Sequence, residues 1–287
     1  MKHFYSLLKV AVLICFFSCS APSDRAVEEF ENRTPLNCSS FSLQPSKYNI
    51  ILIAGQSNTH SGAGLDSKID TAFTGVTQLG RFNGQDMKVV KAIEPLDHHT
   101  SKANKIGFGL TFANLFKENF LTRGDTLIIV PCGYGGTGFS DDRWNKGNDL
   151  YNDAVKRVKY IQNKYKGSKL QAILWHQGER DINYNLYEAS LTTFIENIRA
   201  DLQSPDVPFI LGGMVPYWVN QKQARVRQNA IIASMPYKLC NIGYADPTQP
   251  FTIEKEYNTT NAIHFNAAGQ RELGKRYFSE YVTVLAQ

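Results

Sequence analysis

Five uninterrupted apolar runs constrain the fold of this chain more than any other feature. They occupy residues 49–54, 126–131, 170–175, 209–214 and 239–244. None of them alternates apolar with polar residues, as a strand with one solvated face would. Continuous apolar strands are typical of parallel sheets, in which helices cover both faces. The runs therefore predict the strands of a central parallel sheet.

Helical patterns fill the intervals between these runs. Apolar residues recur at helical spacing within segments 110–120, 150–165, 187–202, 221–235 and 266–285. Strands that alternate with helices form right-handed crossover units and place helices on both faces of the sheet. The chain is predicted to be an α/β protein, a three-layer α/β/α sandwich with a parallel sheet of about five strands. We expect neither an internal repeat nor a second catalytic domain.

The N-terminal segment has the layout of a secretory signal. Lys2 and Lys9 precede an apolar run at 10–17, and small residues follow it directly. The run is much shorter than the roughly 20 residues that a membrane-spanning helix needs. Residues 1–18 are therefore predicted to be a signal peptide that is removed.

Cys19 stands where a bacterial lipoprotein carries its acylated cysteine. Residues 19–47 are predicted to be a tether and lead-in segment, and residues 48–287 the folded domain. Acylation would anchor the protein to a membrane without a spanning helix, at the periplasmic face or the cell surface. The alternative is plain secretion across the inner membrane, with Cys19 unmodified.

Cysteine usage and charge exclude several classes of protein. Cys38, Cys132 and Cys240 lie in the predicted domain, and one disulfide is permitted among them, with the pair left open. No Cys-x-x-Cys or His-x-x-x-His spacing occurs, so neither a metal nor another cofactor is expected. The net charge falls from +5 to +3 when Lys2 and Lys9 leave with the signal peptide. Without a basic cluster, nucleic acid is not an expected partner.

Polar and glycine-rich segments follow three of the predicted strands. Gly-Gln-Ser-Asn occupies 55–58, a glycine-rich loop 132–138, and His-Gln-Gly-Glu 176–179, while His264 precedes the last helix. Ligand sites of parallel sheets form beyond the carboxyl ends of the strands. Taken singly, the serine segment is equally a turn or a helix cap, and the glycine-rich segment is more often a surface loop. The polar groups of His-Gln-Gly-Glu would be costly at the end of a buried strand unless each were paired, so that segment favours a functional role. Together they place a serine, glycine amides and a histidine at one edge, the parts of a nucleophilic active site.

These four blocks, in this order, resemble the sialate O-acetylesterase and acetylxylan esterase family of the SGNH-hydrolase superfamily. The resemblance runs from about residue 48 to the last helix and implies a flavodoxin-like fold. It implies hydrolysis of O-acetyl groups on sialic acids or on polysaccharides such as xylan, so the expected partner is an acetylated glycan. It also makes Ser57 the nucleophile and His264 the general base of an acetyl-serine mechanism.

The resemblance further implies a set of groups around the reacting ester. The backbone N–H of Ser57, an amide of the Gly135-Gly136 pair and the side chain of Gln177 are the implied donors to the oxyanion. Gln56 and Asn261 are implied at the substrate pocket.

The chain departs from the family pattern at two places. Thr59 and His60 stand where the family often has Met, which changes the lining of the pocket. Asn261 stands where the family has the Asp that orients the catalytic histidine. An amide does not stabilise an imidazolium as a carboxylate does, and the same change in a serine-protease triad costs about 10⁴ in turnover.

Another acid is therefore expected to support His264. Glu179 is the hypothesised substitute, because it lies at the end of the third predicted strand beside Gln177, and Asp181 and Asp246 are the alternatives.

Two other functions are compatible with the sequence. One is a carbohydrate-binding protein that kept the pocket and lost catalysis, for which Asn261 is the argument. The other is a hydrolase of the same fold that acts on lipid, thioester or peptidoglycan acetyl groups. Five aromatic residues are candidates for stacking on sugar rings: Tyr134, Phe139, Trp144, Tyr217 and Trp218.

Overall fold

A computed structural model describes residue 36 and residues 38–100, 102–255 and 262–287. The predicted signal peptide at 1–18, Cys19 and Asn261 lie outside these residues, so the expectations attached to them stay predictions. Within the described ranges, none of the helices is both long and apolar enough to cross a membrane.

The strands of the described residues form two sheets. In chain order they are β1 (Tyr48–Gly55), β2 (Gly62–Ala63), β3 (Val76–Leu79), β4 (Val89–Lys91), β5 (Lys105–Ile106), β6 (Thr126–Pro131), β7 (Lys169–His176), β8 (Phe209–Gly212) and β9 (Ile242–Ala245). The large sheet has seven strands in the order β4-β3-β6-β1-β7-β8-β9, and β2 pairs with β5 separately. All neighbours in the large sheet are parallel except β3 and β4.

Five α-helices lie between these strands, and a sixth follows the last strand. They are α1 (Gly109–Phe120), α2 (Asp149–Lys164), α3 (Tyr187–Asp201), α4 (Pro216–Val219), α5 (Gln223–Ser234) and α6 (Ala267–Leu285), in the part of the chain that the structure describes. Three short 3-10 turns, at Ser57–Thr59, Glu179–Asp181 and Met235–Tyr237, complete the regular structure.

The predicted α/β/α fold with a parallel sheet is confirmed, but the sheet has seven strands where about five are predicted. The five apolar runs correspond to β1, β6, β7, β8 and β9. β3 and β4 are short strands at one edge, and β3 reads Val-Thr-Gln-Leu, so neither forms an apolar run. Of the run at 239–244, only the residues from Ile242 onward belong to β9, because Asn241 has a φ of 56°, outside the extended region.

Two separate apolar cores explain why the strands are apolar throughout. Along β1, Ile50 and Leu52 point into a core shared with α2 and α3, whereas Ile51 and Ile53 point into a core shared with α1 and α6. All four side chains are fully buried. Because successive residues of a strand face opposite sides, both sets must be apolar when helices cover both faces.

A disulfide joins Cys38, before β1, to Cys240, just before β9. Cys132 is the remaining cysteine of the described residues; it is buried, and burial raises the pKa of its thiol to about 12. β1 begins at Tyr48, the residue at which the folded domain is predicted to begin. The lead-in nevertheless contributes to the fold, because Phe41 packs against one core.

Candidate active site

Ser57 lies directly beyond the end of β1, at what we call the carboxyl edge of the sheet, where β1, β6 and β7 end. Gly55 ends β1 with a φ of +121°, and a Cβ at this position would lie 2.1 Å from the carbonyl oxygen of His176 in β7. Only glycine allows the two strand ends to approach so closely. The Gln56 N–H then donates to the same carbonyl at 2.8 Å, and the chain turns at Ser57–Thr59.

The structure brings the predicted nucleophile and the predicted base together. His264 Nε2 lies 2.8 Å from Ser57 Oγ, although the two residues are 207 positions apart. His264 comes from the segment that precedes α6. This distance is within the range in which a histidine removes the proton of an attacking hydroxyl.

Asn58 links the serine turn to the histidine segment. Its Nδ2 donates to Ile263 O at 2.9 Å, and its Oδ1 accepts from the Phe265 N–H at 3.3 Å. Its own carbonyl accepts from Gln270 Nε2 of α6 at 2.9 Å. The residue after the nucleophile therefore holds the backbone on both sides of His264. The sequence identifies Asn58 only as part of a motif and does not reveal this role.

Glu179 supports Asn58 from behind. Its Oε1 accepts from Asn58 Nδ2 at 2.7 Å and lies 3.6 Å from His176 Nε2. Burial opposes ionisation of Glu179, but the neighbouring His176 and the donor from Asn58 outweigh it, and the pKa of this carboxyl is below its ordinary value. These contacts make Glu179 a support of Asn58; its hypothesised role as the acid of His264 stays a prediction.

His176 has its two ring nitrogens in different surroundings. The Tyr277 hydroxyl donates to Trp175 O at 2.7 Å, so its oxygen is the acceptor in the 3.3 Å contact with His176 Nδ1. Nδ1 therefore carries a proton. The Nε2 that faces Glu179 is then a proton donor only when His176 is an imidazolium.

The glycine loop, residues 133–138, follows β6 and lies against the nucleophile. A Cβ on Gly135 would lie 3.6 Å from Ser57 Cβ, and Gly136 has a φ of +74°. The Gly135 N–H makes only a long contact, 3.4 Å, with Thr100 Oγ1. The N–H groups of Ser57 and Gly136 have no acceptor among the hydrogen bonds of the described residues. These amides are the available donors beside Ser57.

Asp181 holds the far end of the glycine loop. Its buried carboxylate accepts from the Phe139 N–H at 2.8 Å, and from the N–H and hydroxyl of Ser140 at 3.1 and 2.6 Å. A Cβ on Gly138 would lie 2.3 Å from one carboxylate oxygen, so glycine is needed there. The carboxylate of Asp181, one of the alternative acids for His264, thus binds the segment that ends the glycine loop. Asp246, the other alternative, accepts from the N–H and hydroxyl of Thr248, both at 2.7 Å.

Gln177 does not have the position implied by the family resemblance. Its Nε2 donates to Asp181 at 2.8 Å, its side chain is buried, and it is absent from the residues that line the cavity at Ser57. The amide therefore belongs to the support of the glycine loop, and the structure does not present it to an oxyanion. The motif predicts the strand end correctly, but spacing does not indicate the direction of a side chain.

A cavity of about 490 Å³ opens above Ser57. Its lining residues are Gln56, Ser57, His60, Ser61, Thr100, Lys102, Gly135, Gly136, Glu179, Arg180, Ile263 and His264. Six of the eight predicted site residues are among them, while Gln177 lies beneath the loop and Asn261 is outside the described residues. Within the described ranges no group of three or more His, Cys, Asp or Glu side chains is arranged to hold a metal ion.

The segment His98-His99-Thr100 runs along the glycine loop and was not predicted to be part of the site. His98 Nδ1 accepts from the Gly133 N–H at 2.9 Å, and the His99 N–H donates to Gly133 O at 3.0 Å. Burial holds the pKa of His98 well below its ordinary value. The segment belongs to the irregular connection between β4 and β5 and follows none of the predicted apolar strands, so its signal in the sequence is a run of polar residues.

The five candidate stacking aromatics separate into two groups. Phe139 and Trp144 are buried in the core, so the expectation that they contact sugar is wrong. Tyr217 is half exposed, and Tyr134 and Trp218 are partly buried. Each of these three rings has a cationic side chain over it, at 3.8 to 4.7 Å from the ring centroid.

A family model describes most of the chain. Residues 47–283 match the model for carbohydrate esterases described as sialic acid-specific acetylesterases. A probable carbohydrate esterase of Arabidopsis thaliana is 34% identical over 131 residues, which cover 44% of this chain and 49% of the relative. That alignment thus spans about half the length of the curated relative.

Solved structures extend the similarity to the whole fold. The crystal structure of an Arabidopsis thaliana protein, the same relative, has a TM-score of 0.69 at 25% identity and covers 82% of this chain and 98% of that one. NanS has a TM-score of 0.70 at 19% identity, with 84% and 98% covered. A carbohydrate acetylesterase of Xanthomonas citri has a TM-score of 0.57 at 15% identity, with 83% and 56% covered.

Proposed function

Because this chain belongs to the carbohydrate esterase family of sialic acid-specific acetylesterases, we propose that it removes O-acetyl groups from carbohydrates through an acetyl-serine intermediate. The observation that carries the proposal is the 2.8 Å contact between Ser57 Oγ and His264 Nε2 at the base of an open cavity. A hydroxyl paired with an imidazole, with backbone amides beside it, supplies the nucleophile, the general base and the oxyanion donors that acyl transfer needs.

The first half of the reaction transfers the acetyl group to the protein. Ser57 Oγ attacks the acetyl carbonyl carbon while its proton passes to His264 Nε2. The carbonyl oxygen becomes an oxyanion beside the N–H groups of Ser57, Gly135 and Gly136. When the tetrahedral intermediate collapses, the bond to the sugar oxygen breaks, and His264 returns the proton to that oxygen. The sugar leaves with a free hydroxyl.

The second half regenerates the serine. A water molecule loses a proton to His264 and attacks the acetyl carbon of the acetyl-serine. Collapse of the second tetrahedral intermediate breaks the bond to Ser57 Oγ, which takes the proton back from His264, and acetate departs. The backbone amides act in both halves, and a single oxyanion donor is typically worth about 3 to 4 kcal/mol in the transition state.

Acetylated sialic acids and acetylated polysaccharides such as xylan are the proposed substrate classes. Hydroxyl, amide and charged side chains are among the residues that line the cavity, and they offer hydrogen-bond partners to a polar substrate. Lys102 and Arg180, which are exposed at its margin, add positive charge.

The test is release of acetate from a chromogenic acetyl ester, from acetylated sialic acids and from acetylated xylan. Rapid quenching followed by mass spectrometry should detect one acetyl group on the peptide that contains Ser57. The Ser57→Ala variant should release no acetate and carry no acetyl group. A folded wild-type protein without turnover would favour the carbohydrate-binding alternative.

We further propose that the protein is exported and anchored through Cys19. The Cys38–Cys240 disulfide supports an oxidising compartment, since such bonds rarely persist in the cytosol. Mass spectrometry of the mature N-terminus, on protein isolated from membranes, tests acylation. An unmodified N-terminus upstream of Cys19, or a soluble mature form, would contradict it.

A further inference from the structure

A chain of hydrogen bonds fixes which nitrogen of His60 carries a proton. Thr59 Oγ1 donates to Gln56 O at 2.7 Å, since a carbonyl oxygen can only accept. The Thr59 hydroxyl has a single proton, so His60 Nδ1 must be the donor in its 2.8 Å contact with Thr59 Oγ1. Burial, followed by nearby positive charge, lowers the pKa of His60 to about 3. The ring is therefore neutral at physiological pH, with its proton on Nδ1.

The state of His60 in turn fixes the hydroxyl of Thr100. His60 Nε2 has no proton and lies 2.8 Å from Thr100 Oγ1, so the Thr100 hydroxyl donates to it. That hydroxyl has no second proton. Thr100 Oγ1 can therefore only accept from other groups, and among the described residues its other hydrogen-bond contact is the long 3.4 Å approach of the Gly135 N–H. Thr100 lines the cavity, so it presents an acceptor and no donor there.

Thr100 borders the space next to the nucleophile. A Cβ built on Gly135 would lie 3.6 Å from Ser57 Cβ and 3.7 Å from Thr100 Oγ1, so both residues face the same small volume. Thr100 Oγ1 is therefore close enough to the nucleophile to meet a substituent beside the O-acetyl group of a bound sugar.

We propose that Thr100, held in place by His60, selects acetylated carbohydrates that carry a free hydroxyl next to the O-acetyl group. The substrate hydroxyl donates to Thr100 Oγ1. A neighbouring acetate, ether or fluorine can only accept, and it would place two acceptors face to face. The inference rests on the proposed esterase function and adds a specificity-determining residue to it.

The experiment compares acetyl esters that differ only in the neighbouring substituent. One set consists of methyl xyloside 3-acetates with hydroxyl, hydrogen or fluorine at carbon 2, and the other of sialoside 9-acetates varied in the same way at carbon 8. The set that the wild-type protein hydrolyses faster is scored by kcat/KM. The hydroxyl compound should be preferred over the fluorine compound by about tenfold, which corresponds to about 1.4 kcal/mol, one net hydrogen bond.

Variants of the two residues separate recognition from a structural effect. In Thr100→Val, which keeps the shape, the preference should fall to within about twofold, whereas Thr100→Ser should retain it. In His60→Phe the Thr100 hydroxyl is free to donate, so the fluorine compound should improve relative to the hydroxyl compound. Thermal unfolding of each variant controls for folding. The selectivity ratio is the readout, because a loss of packing would lower both rates together.

The outcomes distinguish the two levels of the proposal. A wild-type protein that hydrolyses all three compounds of a set equally well, or a Thr100→Val variant with an unchanged ratio, would overturn the role of Thr100 and leave the esterase intact. Failure of the wild-type protein to release acetate from either set, with the Ser57→Ala variant as the blank, would count against the proposed function itself.

Discussion

The two edges of the central sheet carry cavities of similar size but different chemistry. The cavity at the carboxyl edge, about 490 Å³, contains Ser57 and His264 in hydrogen-bond contact. The cavity at the amino edge, where β7 and β8 begin, is about 440 Å³ and is lined by segments 40–44 and 202–207. Its described lining includes several serines but no histidine. Volume alone does not indicate a catalytic site, whereas a hydroxyl paired with a base does.

The buried polar groups of the two edges differ in the same way. At the amino edge, Asn49 Oδ1 accepts from the Ser46 N–H at 3.1 Å and from Gln171 Nε2 at 2.8 Å, and these bonds close the strand ends. At the carboxyl edge, a carboxylate oxygen (Glu179 Oε2) and an amide oxygen (Gln177 Oε1) have no partner among the described residues, whereas the described lining of the amino-edge cavity has one such atom, the Ser168 hydroxyl. A buried polar atom without a partner costs about 1 to 3 kcal/mol. Stability is thus lower than it could be where the reactive pair is held.

The largest expected difference between the edges is in turnover. Ser57→Ala should reduce kcat by on the order of 10⁴ to 10⁶, as loss of the nucleophile does in serine hydrolases. Ser168→Ala, at the amino-edge cavity, should leave kcat unchanged, since that hydroxyl is buried without a described partner. Acetate release measured for both variants makes the comparison. Equal losses would mean that the carboxyl edge is not the catalytic one.

Two buried asparagines provide the next test. Asn58→Ala should lower kcat by about 10² to 10³. The variant removes the hydrogen bonds that position the backbone on both sides of His264, and a small displacement of a catalytic group lowers the rate strongly. Asn49→Ala should instead lower the free energy of unfolding by about 1 to 3 kcal/mol and leave kcat unchanged. Steady-state kinetics and denaturant unfolding on both proteins check this. A normal kcat in a folded Asn58→Ala variant would contradict the linking role of Asn58.

The disulfide should affect stability and not chemistry. Replacing Cys38 and Cys240 by Ser should reduce the free energy of unfolding by about 2 to 4 kcal/mol. The cross-link spans 202 residues and lowers the conformational entropy of the unfolded chain. Turnover at 25 °C should persist because both cysteines lie far from the carboxyl edge in the fold. Calorimetry with and without reductant provides the measurement. Loss of kcat without loss of stability would indicate that the two edges are coupled.

Two buried carboxyls, Glu179 and Glu94, should affect the pH dependence of stability differently. Glu179 Oε1 accepts from Asn58 and Glu94 Oε2 accepts from the Leu96 N–H at 2.9 Å, but the pKa of Glu179 is below its ordinary value, whereas burial raises the pKa of Glu94 to about 8. The folded state therefore holds a proton that the unfolded state releases near pH 4.5, and stability should fall as pH rises from about 4.5 to 8. Glu94→Gln should increase stability by about 1 to 3 kcal/mol at pH 9 and hardly at pH 4. Equal effects at the two pH values would refute this.

The fold follows from the sequence where burial alone decides it. Apolar runs predict the five central strands because both faces are covered, and the pattern leaves little alternative. The edge strands β3 and β4 escape notice because they are short and partly polar. The disulfide pair also becomes evident only in the fold, since Cys132 ends up buried beyond β6, away from the start of β9, where Cys240 lies.

The site is predictable at the level of strand ends and not at the level of side-chain directions. The order of motifs identifies Ser57 and His264, because parallel strands bring their carboxyl ends to one edge. The turn of Gln177 toward Asp181 depends on packing beneath the glycine loop, which no spacing rule describes. Thr100 enters the cavity through an irregular connection, so no periodic pattern marks it.

The contact between Ser57 and His264 also constrains when activity can appear during synthesis. The nucleophile follows the first long strand and the base precedes the last helix, so almost the whole domain must leave the ribosome before the pair can meet. Fragments that end before His264 would contain the serine without its base. Nascent or truncated chains without His264 are therefore expected to be inactive, and the appearance of turnover indicates that the two ends of the domain have come into contact.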